Sequence, residues 1–499
     1  MNRQGRSILS NGLDPEECRV AVLEEGKLRE MYVERMWERQ RAGDIYKARV
    51  DSVVPGMNAA FLNLGDGRNA FLYLEDVKGG RVEPNQEMVV QVTKTARKGK
   101  GARVTPRISI PGRYMVLIPG GRETGVSRRI DSEERERLRR VARDMRPGNA
   151  GVIVRTAAGN VGEEELESDL KYLENIWEEI ERESKQQNAP CLLYQDTGLL
   201  GRVLRDELNH QVGEIIVDSP EEFTSVENFL GNFGINENAP SLDLYTGTVP
   251  LFEFYGVEDE LEAALDRKVW LESGAYLVID QTEALTVIDV NTGKFTGGEN
   301  LRGTVLKTNL EAAVEISRQL RLRAIGGIVV VDFIDMENHE DRVLLTERLE
   351  GLFRNDRHKA RVYGITKLGL VELTRKRSRA DMRSVFTRGC PCCGGSGWVR
   401  REENVAMNIK RFLRKVVLSS HCEALLVEVH PEIASTIARD FLRQWEESLN
   451  VRIYAGERPD MPWDKYRLEA QGSVEQIERR AAIFEDREKG RIVHRADSA

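Results

Sequence analysis

Thr286-Val-Ile-Asp289-Val-Asn291 and Ile328-Val-Val-Val-Asp332-Phe-Ile-Asp335 are two β-branched apolar runs, each ending on a carboxylate with further polar groups close behind. Runs of this kind read as buried strands bounded by polar breaks. An unpaired carboxylate is costly to bury, so each Asp belongs at a strand end. Between them, Val305–Ala324 carries Leu306, Leu310, Ala313 and Leu320 at helical spacing. The succession predicts a β-α-β unit, and in such units function collects where the strands end. Asp289 and Asp332 would repel each other there, and a divalent cation would relieve them. Oxygen ligands of this type suit magnesium or manganese. Asn291 adds a neutral oxygen donor. A single such Asp reads as a strand cap; the repeated pattern shifts the balance toward a metal site.

Working outward, Ala275–Asn291 reads as a hairpin leading into the first carboxylate. Residues 43–77 read as all-β: Asp44-Ile-Tyr-Lys-Ala-Arg-Val50 alternates, and Ala59–Leu64 and Ala70–Leu74 flank Gly65-Asp-Gly67, a strong hairpin signal. Tyr46, Phe61 and Phe71 read as exposed-type aromatics ahead of a basic loop, which suggests an OB-type barrel with rings that stack bases. Barrel core is an equally good reading for any single ring. Further on come a charged helix near Ser132–Arg143, a strand Gly151–Arg155 and an acidic helix Glu163–Lys185 with an apolar stripe at Leu166, Leu170, Leu173 and Ile176. Gly213–Asp218 suggests an α/β unit. Beyond residue 400, a helix (Asn404–Val417) precedes a small α/β tail.

At 499 residues with 40% hydrophobic content, two to four globular units are expected. No apolar run approaches the length that spans a bilayer. The start, Met1-Asn-Arg-Gln-Gly-Arg-Ser, has no apolar core of a leader, so a cytoplasmic protein is expected. A net charge of −8 does not mark a nucleic-acid binder, but its distribution does more. Lys94, Arg97, Lys98, Lys100, Arg103, Arg107 and Arg113 stand without an acidic residue among them, and Leu373-Thr-Arg-Lys-Arg-Ser-Arg379 forms a second basic block. Local patches of this kind attract phosphates, although a solvated face is the usual fate of one alone.

Three of the six cysteines fall in Gly389-Cys390-Pro-Cys392-Cys393-Gly-Gly. A structural zinc site needs four ligands, and the chain has no second CxxC. Two chains each giving Cys390 and Cys393 would complete it, which predicts a zinc-linked homodimer. Cys392 could replace a neighbour. A redox CxxC is the runner-up, weakened because a thioredoxin-like context is missing.

Taken together, these pieces resemble the ribonuclease E/G family of bacterial endoribonucleases. The densest match is Thr282–Asn291, Asn309-Leu-Glu-Ala-Ala, Arg318–Arg323 and Gly326–Met336, joined by Gly43–Lys47, Ser127–Ile130, Tyr245–Leu251 and Cys390–Cys393. The resemblance implies a multidomain α/β and β chain. An RNase H-like fold (1–42 and 201–264) would be interrupted by an S1-like OB barrel (43–107) and a 5′ sensor (108–200). A DNase I-like catalytic subdomain (265–388), a zinc link (389–399) and a small C-terminal domain (400–499) would follow. It implies magnesium at Asp289 and Asp332 with Asn291 assisting, and structural zinc at Cys390 and Cys393. Arg155, Thr156, Gly112 and Val116 would bind a 5′ phosphate; Phe61, Phe71 and Lys100 would clamp RNA; Arg361 would lie near the active site. Asp335 reads as structural. The expected function is magnesium-dependent hydrolysis of single-stranded RNA in rRNA processing and mRNA decay, with a preference for 5′-monophosphorylated substrates. The expected assembly is a homodimer, with a tetramer as the larger form. The chain ends soon after the small domain, so no degradosome scaffold and no membrane attachment are expected. The alternative is a non-catalytic protein that masks transcripts.

Overall fold

Alternation along Leu285–Asn291 sends Thr286, Ile288 and Val290 into the core and leaves Val287 and Asp289 outside. That half-buried pattern sets the architecture of the surrounding region in a computed structural model describing residues 5–38, 41–96, 101–208, 211–232, 240–293, 301–354, 356–377, 379–488 and 492–493. A six-stranded sheet runs in the order Lys268–Trp270, Tyr276–Gln281, Leu285–Asn291, Gly327–Asp332, Val371–Arg375, Arg361–Ile365. Only the two carboxylate strands are parallel neighbours; the other pairs are antiparallel. The helix Leu301–Leu322 makes the crossover that a parallel pair requires. It ends where Ala324 turns to a φ of +53° and the Ile325 amide bonds back to the Leu320 carbonyl at 3.0 Å, a Schellman-type stop.

This helix and His339–Phe353 cover one face of the sheet. Ala312, Ala313, Ile316, Leu320, Leu345, Leu349 and Phe353 pack there on Ile288, Val329 and Val331. Burying the Ile, Leu, Val and Phe side chains among them stabilises by about 1.5–3 kcal/mol each. The opposite face is open, with Trp270 62% and Ile328 50% exposed.

The barrel expected at 43–107 closes. Ile45–Val54, Ala59–Asn63, Ala70–Tyr73, Arg103–Thr105 and Glu87–Lys94 follow one another, and the last pairs back with the first. Cys191–Tyr194, expected within the sensor segment, returns to pair with the first barrel strand. Between them, Thr124–Val126, Ala150–Val154, Met115–Pro119 and Ile110–Pro111 form a separate sheet. The N-terminal hairpins join sequence-distant strands: Arg6–Asn11 runs parallel to Val212–Val217, so the order is Ser241–Leu244, Val212–Val217, Arg6–Asn11, Glu17–Glu24, Lys27–Arg35.

All of this belongs to one compact unit, Met1–Val385; Phe386–Ala499 forms a second. In the second, a sheet ordered Tyr466–Gly472, Ala424–Val429, Arg452–Glu457, Ile492–Val493 carries the helices Glu402–Ser420 and Val474–Glu488. No helix among the described residues is long and apolar enough to cross a membrane.

Candidate active site

The parallel register places Asp289 opposite Asp332. Partners across a ladder share a face, so both carboxylates stand on the open side of the sheet. Asn291, two residues on, shares that face and donates from Nδ2 to Asp289 Oδ2 at 2.8 Å. Partial desolvation, then the charges of Asp289 and Asp335, push the Asp332 carboxyl above its ordinary range. Asp335 is thus an electrostatic neighbour of the pair. Among the described residues no group of three or more His, Cys, Asp or Glu side chains forms a metal-holding cluster. Two carboxylates with a neutral amide fit magnesium better than a closed protein cage would, because that ion keeps several waters and takes substrate phosphates as ligands.

Asn309 was not singled out as a site residue in the sequence. It is fully buried on the crossover helix, donates to the Ile334 carbonyl at 2.8 Å and accepts from the Ile334 amide at 3.1 Å. This bidentate grip fixes the chain between Asp332 and Asp335. An amide in an otherwise apolar helical stripe was the available signal. Arg361 is not brought to the carboxylates. It lies opposite Thr374, which lies opposite Ile328, so it sits two strands over and four residues back from Asp332. That is roughly 16 Å between backbones, and its guanidinium instead covers the Tyr363 ring at 4.9 Å.

The residues expected to receive a 5′ phosphate do converge. Arg155 donates to the Gly112 carbonyl at 2.6 Å and pairs with Asp206, and its own amide donates to the Tyr114 carbonyl. The hydroxyls of Thr156 and Ser127 lie 2.7 Å apart. Val116 sits on the adjoining strand, flanked by Pro111 and Ile153. The loop is shaped by Asp169, a fully buried carboxylate that accepts from the amides of Arg113, Tyr114 and Met115 at 3.0, 2.8 and 2.7 Å. Burial raises its carboxyl above the usual range, and those bonds oppose the rise. A Cβ on Gly112 would come 2.5 Å from the same carboxylate, which requires glycine there. Asp169 stands in helical register with Leu166 and Leu173, so the apolar stripe already placed it on the buried face.

On the barrel, Phe61 and Phe71 are cross-strand partners, half-buried, with ring centroids 5.8 Å apart. Tyr73 extends the row at 4.7 Å from Phe71, and the Arg103 guanidinium lies over it at 4.5 Å. Arg103 belongs to the basic run read in the sequence, whereas Tyr73 was missed although it follows Phe71 by two. Tyr46 proves to be core, 7% exposed within the barrel cluster, because its alternation phase faces inward. Lys100, with Arg97 and Lys98, lies outside the described residues.

The second basic block is divided: Arg375 and Arg379 turn toward internal groups, while Lys376 and Arg377 stay exposed. Arg375 is buried against Asp356, Arg377 donates to the Gly326 carbonyl, and Arg379 donates to the Met31 carbonyl while covering Tyr32. These cations neutralise and cap internal groups. In the second unit, Cys393 Sγ accepts from the Gly397 amide at 3.3 Å. Amides of Gly397 and Gly395, with the Cys390 thiol, hold the Cys393 thiol below its usual range.

The sequence pattern of the ribonuclease E/G family matches residues 109–378, over half of the chain. The chain is 40% identical over 464 residues to ribonuclease G of Escherichia coli (strain K12), covering 89% of this chain and 94% of that protein. The chain belongs to the ribonuclease E/G family. Ribonuclease G of Haemophilus influenzae is 38% identical over 446 residues, covering 85% of this chain and 91% of the relative. Ribonuclease E of Synechocystis is 41% identical over 373 residues, covering 72% of this chain and only 55% of the longer relative. The chain thus matches the ribonuclease G form of the family nearly end to end. Residues 389–471 match the thioredoxin-like domain of the same family. This corrects the expectation that such a context is missing, but the cysteines sit in turns well ahead of the helix that opens at Glu402, not at a helix start.

Proposed function

We propose that this ribonuclease E/G family member is a magnesium-dependent endoribonuclease. It would hydrolyse phosphodiester bonds of single-stranded RNA, prefer 5′-monophosphorylated substrates and serve rRNA processing and mRNA decay. The observation that carries the reading is the register that sets Asp289 level with Asp332 on an open face. Magnesium, when bound there, would supply Lewis-acid stabilisation of the phosphate and an acidified water. Asp289 and Asp332 hold the cation, Asn291 fixes the orientation of Asp289, and Asn309 holds the segment that follows Asp332. No histidine or cysteine nucleophile is required.

Arg155, with Thr156, Gly112 and Val116, would receive the 5′ phosphate. The guanidinium already faces Asp206, so an incoming phosphate takes over a site this carboxylate now neutralises. The row Phe61, Phe71 and Tyr73 supports an S1-like clamp, to which Lys100 would add a cation. Arg361, remote from the carboxylates, would meet RNA farther along the open face. The mixed sheet around Arg6–Asn11 supports the RNase H-like reading, and the six-stranded sheet the DNase I-like one. Cys390 and Cys393 from two copies would share structural zinc and link a homodimer, with pairing to a tetramer as a further step. A cytoplasmic location fits such a substrate.

The test is cleavage of a short 5′-monophosphorylated RNA with magnesium and with EDTA. Asp289→Asn should abolish the magnesium-dependent cleavage seen with the unaltered protein; full activity in that variant would rule the mechanism out.

A further inference from the structure

Lys268, Trp270 and Tyr276 gather on the same open face as the carboxylates. The Lys268 ammonium lies 3.9 Å from the Trp270 ring centroid and 3.6 Å from that of Tyr276, and the two rings meet edge-on at 5.3 Å. Trp270 lies opposite Tyr276, which lies opposite Asn291; Lys268 lies opposite Val278, which lies opposite Asp289. Ladder partners share a face, and so do residues two apart along a strand. The cluster and the metal ligands therefore occupy one surface, separated by two strand spacings, about 10 Å.

The core does not need this cluster. Val269, between Lys268 and Trp270, faces inward and is buried, while Trp270 is 62% exposed. A large ring left in water beside a candidate active site, with a cation over its face, has the make-up of a base-stacking platform for a polyanion. We propose that Lys268, Trp270 and Tyr276 form a nucleotide subsite beside the scissile phosphate. Trp270 stacks on a neighbouring base and Lys268 meets the backbone phosphate. Every base has a π face, so the subsite tolerates sequence while demanding an unpaired nucleotide. The assignment rests on the endoribonuclease reading above.

The experiment uses the full chain with magnesium and a 5′-monophosphorylated single-stranded RNA, intact or carrying one abasic nucleotide at successive positions beside the cleavage point. The unaltered protein should show a raised KM when one particular base is missing. Trp270→Ala should raise KM about tenfold on intact RNA, the range of a single stacked base, and should become indifferent to the abasic change at that position. Trp270→Phe should recover most of the loss. Independent, additive effects of Trp270→Ala and the abasic change would overturn the subsite. So would an unchanged KM, or a KM unchanged while the native mass of the assembly shifts, which would make a second copy of the chain the occupant. Absence of cleavage by the unaltered protein would bring down the endoribonuclease reading and the subsite together. Normal cleavage with an indifferent Trp270→Ala would remove the subsite alone.

Discussion

At one end of the six-stranded sheet, Arg375 lies opposite Gly327, 4% exposed, ion-paired to Asp356 at 2.9 Å and bonded to the carbonyls of Leu320 and Ile325. At the other end of the same strand, Asp332 faces Asp289 and Asp335, with no cation among the described residues in ion-pair contact with any of the three. The first end is electrostatically complete within the chain; the second keeps its repulsion unrelieved among the described residues. Charge serves stability where it is buried and matched. Where it is left open and repulsive, it marks the place proposed for an ion and a substrate.

The difference can be broken by substitution. Asp356→Ala should have the largest effect, about 3–5 kcal/mol of lost folding stability, because it strands a buried guanidinium. Urea denaturation would read it. Burial works against the ionised Asp356, but Arg375 holds its carboxyl below the ordinary range. This contribution is therefore fully present above the ordinary carboxylate value and is lost as pH falls from there through the depressed value of the folded state. Asp332→Asn should leave the urea midpoint unchanged or slightly higher, since it removes repulsion. Its cleavage rate should drop about a hundred- to a thousandfold. A variant that lost stability instead would show that this end is structural too.

The proposed sensor lies between these extremes, since Arg155 is matched by a half-exposed partner that a phosphate would replace. Arg155→Ala should lose about tenfold in preference for monophosphate over hydroxyl 5′ ends, while slow cleavage of both persists. Equal losses on both ends would refute the assignment. Asp206→Asn should have the smallest effect, lowering KM for the monophosphorylated RNA about two- to fivefold, the scale of a half-exposed ion pair. A raised KM would mean that Asp206 positions Arg155 rather than competing for it.

The β-α-β unit was legible because each of its signals is local: β-branched runs, an amphipathic helix and a carboxylate at each strand end. Closure of the barrel was legible for the same reason, through Gly65-Asp-Gly67 and the alternation around it. What stayed hidden depends on partners far away in the chain. Arg375 and Arg379 read as surface cations because nothing local announces Asp356 or the Met31 carbonyl. Arg361 was placed near the carboxylates by resemblance, and only the sheet order reveals its distance. Asp169 was hidden in plain view, in phase with an apolar stripe but in an acidic helix where one more carboxylate draws no notice.

The side-chain parity of Gly327–Asp332 also bears on how this family can vary. Val329 and Val331 point into the core while Asp332 points out. One residue inserted within that strand would turn the Asp332 carboxylate inward and a valine outward in a single step. Length changes there should thus be absent among functional relatives, whereas a substitution at Trp270, two strands away, leaves that parity untouched.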